Sequence, residues 1–178
     1  MARLMPTTLS ESPGNLFQAR VWDDRVKVLN DFLLNRPAFR GVGQFATSVA
    51  NNTWVAVPLA ITVIDTDDGH NNAVNNSRYV CQAPGWYWVK GSVAWNPTSA
   101  TGRIDTAIAK NGTIVPGSSQ FLDKGANVNS AQAASTLVQL AVGNYVEMWA
   151  RQLTGGVMQF DDTSAGTDPD LNAIWVHS

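Results

Sequence analysis

The sequence predicts an all-β sandwich that follows a short amino-terminal arm and one helix. From Pro37 onwards apolar residues alternate with a period of two, and turn-forming residues interrupt them at regular intervals. Residues 79–95 carry five of the ten Trp and Tyr residues, in two runs of strand-forming residues. A chain of 178 residues is long enough for one well-packed core. We therefore divide it into an arm and helix, residues 1–36, and one β domain, residues 37–178.

The segment 79–95 predicts a β-hairpin, because a Pro-Gly turn signal stands between its two apolar runs. In the second run the alternation puts two sets of residues on opposite faces. One set is Tyr87, Val89, Gly91 and Val93, and the other is Trp86, Trp88, Lys90, Ser92 and Ala94. A face with two Trp residues is not expected to stay in water. A second subunit or a covering segment should therefore lie on it.

Ten segments combine strand-forming residues with this alternation and are candidate strands. They are residues 39–48, 53–57, 61–64, 77–82, 85–95, 102–110, 113–115, 134–141, 145–152 and 173–177. Asn111-Gly112, between two of them, is a strong signal for a two-residue hairpin turn. Residues 153–171 are rich in Gly, Asp, Thr and Ser and predict a long loop. Strands at this spacing without intervening helices are typical of a jelly roll or a related sandwich.

One helix is predicted between residues 16 and 34. Its apolar residues recur at intervals of four, three and four, which places them along one face. They are Trp22, Val26, Leu29 and Leu33. A single short helix is marginal by itself, so this stripe must pack on its own domain or on a larger assembly. The predicted extended arm before it, about residues 1–15, favours the assembly, with the stripe as an anchor.

The composition excludes several classes of partner. The formal net charge is -2 and the pI about 5.5, and no run of Lys or Arg is available to neutralise phosphates. Nucleic acid is therefore excluded as the main partner. No stretch approaches the roughly 20 apolar residues of a membrane span, and no apolar signal-peptide core occurs near the amino terminus. We expect synthesis in the cytoplasm without export by the ordinary route, and no membrane partner.

Catalysis finds little support in the sequence. Cys81 is the only cysteine, and its place in the alternation predicts a buried thiol rather than a nucleophile. The two histidines, His70 and His177, belong to no catalytic motif, and no phosphate-binding Gly loop or nucleophile elbow occurs. Glu147 alternates with apolar residues, which predicts a position at a rim or an interface. We therefore predict that the protein is not an enzyme.

The densest cluster of possible metal ligands is Asp65, Asp67, Asp68 and His70. Carboxylates spaced by one residue can hold calcium, but the loop lacks the further oxygen ligands and terminal Glu of a helix–loop–helix calcium site. An ordinary solvated turn without a cofactor is favoured, and calcium on the three aspartates is the alternative. A second acidic region is interpreted likewise as an exposed loop, with ion or receptor contact as the alternative. Its acidic residues are Asp161, Asp162, Asp168 and Asp170.

Several motifs occur in a recognisable order over residues 38–177. They are Phe39; the Asp65…Gly69…Asn75 loop; Arg78-Tyr79-Val80-Cys81 followed by Pro84-Gly85-Trp86-Tyr87; Lys110-Asn111-Gly112; residues 140–148; and Ala173-Ile174-Trp175-Val176. This order resembles the globular head of the complement-type and tumour-necrosis-factor-like superfamily, a ten-stranded jelly roll that forms compact homotrimers. The sequence departs from that pattern at Asn144, where the family usually has Asp, and in the closing strand. The resemblance implies a C1q/TNF-like jelly roll and a homotrimer, and it permits calcium at the trimer apex.

Residues 17–39 resemble the short leader helix of small virion proteins from phages that infect actinobacteria, in which a jelly-roll or fibre module follows. This resemblance implies a non-enzymatic virion structural protein. Residues 1–36 would bind the major capsid protein or tail proteins, and the β domain would project from the particle. Decoration of the capsid is favoured, because about 36 residues make a short stalk. The alternative is a minor tail protein or a tail-tip module that binds a receptor or host cell-surface glycan, and a wall hydrolase is least favoured.

The aromatic residues are the candidate contact residues for either function. They would form the trimer interface or stack on a sugar, and the interface is favoured. The candidates are Tyr79, Trp86, Tyr87, Trp88, Trp95, Trp149 and Trp175.

Overall fold

The computed structural model describes residues 26–43, 47–161 and 166–178. The predicted arm and Trp22 of the predicted helix stripe lie outside these ranges. The described chain forms one helix and thirteen strands, which lie in two large antiparallel sheets and one two-stranded sheet. The predicted all-β jelly-roll sandwich is confirmed. Four of the thirteen strands have only two residues.

The elements follow one another along the chain with these bounds: α1 (Val28–Leu34), β1 (Ala38–Val42), β2 (Ser48–Val49), β3 (Val55–Ala56), β4 (Ile61–Asp65), β5 (Arg78–Val80), β6 (Gly85–Trp95), β7 (Gly102–Lys110), β8 (Thr113–Ile114), β9 (Gln120–Lys124), β10 (Ser130–Leu140), β11 (Tyr145–Leu153), β12 (Met158–Gln159) and β13 (Asp170–His177).

The two large sheets are built from strands that are distant in sequence. The first sheet has the order β10-β6-β13-β1-β4. In the second sheet β11 pairs with β5 and β3 along one edge and with β7 along the other, and β8 and β9 pair with β7. The small sheet pairs β2 with β12. The chain therefore passes repeatedly from one sheet to the other, which is how a jelly roll encloses its core.

The inner faces of the two sheets pack into one core. The predicted division of β6 is confirmed: Tyr87, Val89 and Val93 are at most 1% exposed, whereas Trp88 on the opposite face is 39% exposed. Tyr79 stacks on another buried ring of the core. Burying such side chains is the main stabilising term of the fold, at about 25 cal/mol for each Å² of apolar surface.

The predicted hairpin over residues 79–95 is wrong. β5 pairs with β11, whereas β6 pairs with β10 and β13, so the two strands lie in opposite sheets. The Pro-Gly turn is the corner at which the chain crosses the sandwich. Gly85 has a φ of +149°, and a Cβ at this position would collide with the Trp175 indole nitrogen. Tyr79 and Tyr87 consequently face each other across the core, with 6.1 Å between their ring centroids.

Strand bounds agree for two of the long strands and differ for others: β10 begins at Ser130 rather than at residue 134, and β1 ends at Val42 rather than at residue 48. β6 and β7 have the predicted limits, and Asn111-Gly112 forms the predicted turn between β7 and β8, with φ values of +49° and +76°. β9 was missed because four of its five residues are exposed and show no alternation. β12 lies inside the predicted loop 153–171, and β13 begins at Asp170 rather than at residue 173.

Helix α1 packs on its own domain through Phe32. This side chain is 6% exposed and meets the Trp175 ring edge-on, with 5.1 Å between the centroids. In the predicted stripe, Val26 and Leu29 are half-buried and Leu33 is 57% exposed. The sequence pattern thus missed the residue that holds the helix, and the anchoring role of the stripe stays a prediction. Among the described residues no helix is long and apolar enough to cross a membrane.

Candidate subunit interface

The outer face of the first sheet carries an apolar row that crosses four strands. Leu137 of β10, Trp88 of β6, Ile174 of β13 and Ala38 of β1 stand directly opposite one another. Leu137, Trp88 and Ile174 are 55%, 39% and 42% exposed. Because neighbouring strands are about 4.8 Å apart, the row is roughly 14 Å long. We call these four residues the apolar row.

Exposed apolar side chains continue on both sides of the row. Val176 of β13 is 43% exposed, and Ile61 and Ile64 of the edge strand β4 are 41% and 49% exposed. Ile64 is opposite Arg40 on the same outer face. A sheet face that collects Trp, Leu, Ile and Val side chains in this way is typical of a protein contact rather than of a solvated surface.

A polar cluster beside the row satisfies its own hydrogen bonds. The Asp170 carboxylate accepts from Ser92 Oγ at 2.6 Å and from Asn172 Nδ2 at 3.0 Å. Lys90 Nζ lies 4.0 Å from the same carboxylate. Removing polar groups from water costs less free energy when they are already hydrogen-bonded to one another, so another subunit can cover them more easily than unpaired groups. The cluster is therefore compatible with a buried interface.

The predicted aromatic residues separate into exposed and buried groups. Tyr79, Tyr87 and Trp95 have no exposed surface, and Trp175 is 7% exposed. For these four the predicted contact role is wrong, because they already fill the core of their own subunit or support α1. Trp88 remains, at the centre of the apolar row. Half-buried Trp86 and Trp149 also keep exposed surface, and their roles stay predictions.

Trp86 and Trp149 lie on different sheets. Trp86 is on the outer face of β6, where it stacks on His177 with 6.2 Å between the ring centroids. Trp149 is on β11 and donates from Nε1 to Glu147 Oε2 at 3.0 Å. The structure therefore does not bring the predicted aromatic residues together into one patch.

The residues that join Trp88 in the apolar row were not predicted. Leu137 and Ile174 come from strands that are distant from β6 in sequence. The alternation in each strand does mark them as outward-facing apolar residues, since Ile174 lies between two buried residues and Leu137 between half-buried Thr136 and buried Val138. The register between distant strands, which places them side by side, is not readable from one sequence.

Glu147 is buried on the outer face of the second sheet and does not lie at a rim. It is 3% exposed, and Oε1 accepts from Ser77 Oγ at 2.7 Å and lies 3.4 Å from Arg78 Nε. The Arg78 guanidinium covers the Tyr145 ring at 4.0 Å. The carboxylate thus accepts hydrogen bonds from Ser77 Oγ and Trp149 Nε1 and forms an ion pair with Arg78, so it is a structural group rather than a free acid.

A second buried carboxylate on this face was not predicted. Asp105 is 2% exposed and accepts from Arg103 Nε at 2.5 Å and from Arg151 Nε at 3.0 Å. Arg151 lies over the Trp54 ring at 4.7 Å, and Arg103 over the Phe121 ring at 4.5 Å. These ion pairs and ring contacts tie β7, β9 and β11 together on the side opposite the apolar row.

Cys81 lies in the core, as predicted. It is 0% exposed, and its Sγ and the Tyr87 Oη both donate to the Ala83 carbonyl oxygen, at 3.0 and 2.6 Å. Burial raises the pKa of the Cys81 thiol and the pKa of the Tyr87 hydroxyl, because the anion would be poorly solvated. Neither group is therefore suited to be a nucleophile or a base at neutral pH.

The Asp65 carboxylate closes the first acidic loop. Its Oδ1 accepts from Gly69 N at 3.0 Å and its Oδ2 from His70 N at 2.8 Å. Asp67 is half-buried and Asp68 is exposed, and neither joins Asp65 in a ligand set. In the described ranges no three His, Cys, Asp or Glu residues are grouped closely enough to hold a metal ion.

The second acidic region is only partly an exposed loop. Asp161 is 0% exposed and accepts from Asn129 Nδ2 at 3.1 Å, so the prediction of exposure is wrong for it. Asp170 belongs to β13, Asp168 is exposed, and Asp162 lies outside the described residues.

Known structures share this architecture. No protein-family model matches the sequence, and no curated protein is similar to it at a significant level. The globular domain of zebrafish complement 1qA matches with a TM-score of 0.52 at 14% identity, over 80% of this chain and 98% of that one. Murine APRIL at pH 5.0 matches with a TM-score of 0.57 at 10% identity, over 79% of this chain and 98% of that one. The chain therefore has the C1q/TNF-like jelly-roll fold that its motifs predicted.

Proposed function

We propose that this protein is a non-enzymatic structural module of a phage virion, in which three copies associate through the outer face of the first sheet. The apolar row carries the proposal. Leu137, Trp88 and Ile174 are aligned across three neighbouring strands and are 39–55% exposed in the single chain. Burying them removes apolar surface from water and makes association favourable.

The resemblance to complement-type heads supports three copies rather than two. Members of that superfamily form compact homotrimers, and a closed cyclic assembly buries the same face of every subunit. The second sheet would then form the outside of the trimer. The ion pairs of Glu147 and Asp105, which stay on that side, suit a surface that remains in water.

Ile174→Asp tests this interface, and Val157→Asp is the matched control. A carboxylate at position 174 would be buried without a partner in the trimer, so we expect association to weaken at least tenfold. Val157 is 67% exposed and lies in the loop between β11 and β12, off the proposed interface. Sedimentation velocity measures the association of the two variants. The proposed interface is wrong if both variants sediment alike.

Residues 1–36 are proposed to hold the trimer on the particle. Val28, Leu33 and Leu34 of α1 are 47%, 57% and 74% exposed after Phe32 has packed on the domain, so they are available to another protein. Three copies of a weak anchor bind together more strongly than one. We place the module on the capsid surface, and a minor tail protein or tail-tip receptor module is the alternative.

Antibody labelling of purified particles, viewed by electron microscopy, tests the location. Label over the capsid shell is expected. Label at the tail tip alone would contradict capsid decoration and favour the tail alternative. In that case, binding of the trimer to host cell walls that is lost in Trp86→Ala, with the trimer intact, would indicate a glycan-binding role. A protein absent from particles would overturn the virion proposal.

A further inference from the structure

Part of β10 has a backbone edge with no strand partner among the described residues. β10 ends the first sheet, and β6 is its neighbour there. Lys110 Nζ donates to the Gln139 carbonyl oxygen at 2.6 Å, so this carbonyl points away from β6. Hydrogen-bonded and non-hydrogen-bonded pairs alternate in an antiparallel ladder, and Leu137 and Ser135 therefore also direct their N–H and C=O groups away from β6. Such an edge can accept another strand.

A groove of about 320 Å³ runs along this edge, between β10 and β8. One wall has Leu137 and Val138, and the other has Ile114 and Val115. Lys110 is the only charged residue among the described residues that line it. The groove thus combines apolar walls, one cation and a strand edge without a strand partner, although on this edge the Gln139 carbonyl oxygen already accepts from Lys110 Nζ and the Leu137 carbonyl oxygen from Thr136 Oγ1 at 3.4 Å.

These properties select an extended peptide as the occupant. An added strand would bond to the free edge of β10, and its alternate side chains would enter the groove. The lining favours an apolar side chain with an acidic side chain two residues away, about 7 Å along a strand. The acidic residue would meet Lys110.

The chain itself contains such a segment. Residues 7–11 read Thr-Thr-Leu-Ser-Glu, and Pro6 and Pro13 stand on either side of them. Leu9 and Glu11 would be on the same face of a strand. The segment has no Pro and can donate all of its backbone hydrogen bonds.

The arm starts close enough to reach this groove. Helix α1 packs on Trp175, which is opposite Tyr87, and Tyr87 is opposite Val138 of the groove. The two sites are therefore two strand spacings apart, about 10 Å. Glu11 is 15 residues before Val26, the first described residue, and 15 extended residues span up to about 50 Å.

We propose that residues 7–11 bind as an added strand to the free edge of β10, with Leu9 in the groove and Glu11 paired with Lys110. The groove shares Leu137 with the apolar row, but the binding of the segment to the single chain can be tested without the trimer or the virion. It leaves the helix and the residues just before it to serve as the anchor. A tethered segment has an effective concentration on the order of 1 mM, so a Kd below that value keeps the groove occupied.

A synthetic peptide with the sequence of residues 5–13 tests the proposal on protein that lacks residues 1–15. Fluorescence anisotropy of the labelled peptide is expected to give a Kd below about 1 mM. The Leu9→Asp peptide is expected to bind at least tenfold more weakly, because its carboxylate would enter an apolar groove. No binding at 1 mM, or equal binding of both peptides, overturns the proposal.

A charge exchange tests the position of the peptide. The Glu11→Lys peptide should bind more weakly than the native peptide to the shortened protein, and more strongly than the native peptide to its Lys110→Glu variant. Circular dichroism checks that the Lys110→Glu variant is folded. If it is not, the Lys110→Gln variant is used instead, and it should bind the two peptides equally. A preference for the native peptide that is independent of residue 110 would contradict the pairing.

Discussion

Gly91 allows β6 to approach β11 more closely than a residue with a Cβ would allow. A Cβ there would lie 2.8 to 2.9 Å from three atoms of Met148. We expect Gly91→Ala to lower the free energy of unfolding by about 1–3 kcal/mol, because a close-packed core cannot take an added methyl group without strain. Urea denaturation measures the change.

Gly156→Ala is the control for this residue, since nothing lies within 4 Å of the added methyl group. We expect a change below about 0.5 kcal/mol. In the Met148→Ala background the cost of Gly91→Ala should fall, because the shorter side chain leaves room. Equal losses for Gly91→Ala and Gly156→Ala would contradict the close approach of the sheets.

The Cys81 thiol should be unreactive in the folded protein. Burial raises its pKa, so at pH 8 the thiolate fraction is smaller than that of a free cysteine, and the reagent cannot reach it. Iodoacetamide should therefore label the protein in urea and not in buffer, as measured by mass spectrometry. Labelling in buffer at the rate seen in urea would disprove the buried position.

Among the elements, β9 depends on a buried lysine. Lys124 is 2% exposed, and its Nζ donates to the carbonyl oxygens of Thr98, Ala100 and Gly125 at 3.0–3.2 Å. Lys124→Met would remove this donor from all three carbonyls, of which Thr98 also accepts from Asn127 N at 2.7 Å. We expect a loss of about 1–3 kcal/mol in the free energy of unfolding, measured in urea. Exposed Lys27 is the control, and Lys27→Met should change the free energy of unfolding by less than about 0.5 kcal/mol. Similar losses in the two variants would contradict the structural role of Lys124.

The same elements show what the sequence reveals about the fold. β6 and β7 were predicted with their observed limits, because turn-forming residues bound them: Pro84 and Pro97 around β6, and Asn111-Gly112 after β7. β9 gave no signal, since its exposed side chains are not selected by a core. The hairpin over residues 79–95 failed for another reason: a Pro-Gly turn reverses the chain but does not determine the sheet that receives the next strand.

For the whole molecule, the candidate interface was predicted in part. The alternation identified Trp88 as an outward-facing aromatic residue that needs cover. Its partners in the apolar row depend on the registers of β10 and β13 against β6, and these are set by packing between distant parts of the chain. Tyr79, Tyr87, Trp95 and Trp175 were included wrongly, because they were chosen as aromatic residues and the face that each strand turns to the core was not used to separate them.

The central claim is that the outer face of the first sheet joins three copies. Light scattering during size-exclusion chromatography measures the mass of the wild-type protein directly. Three chains of 19.2 kDa should give a particle of about 58 kDa, stable on dilution into the low micromolar range. A mass of one chain at all concentrations, or of two, would contradict the account.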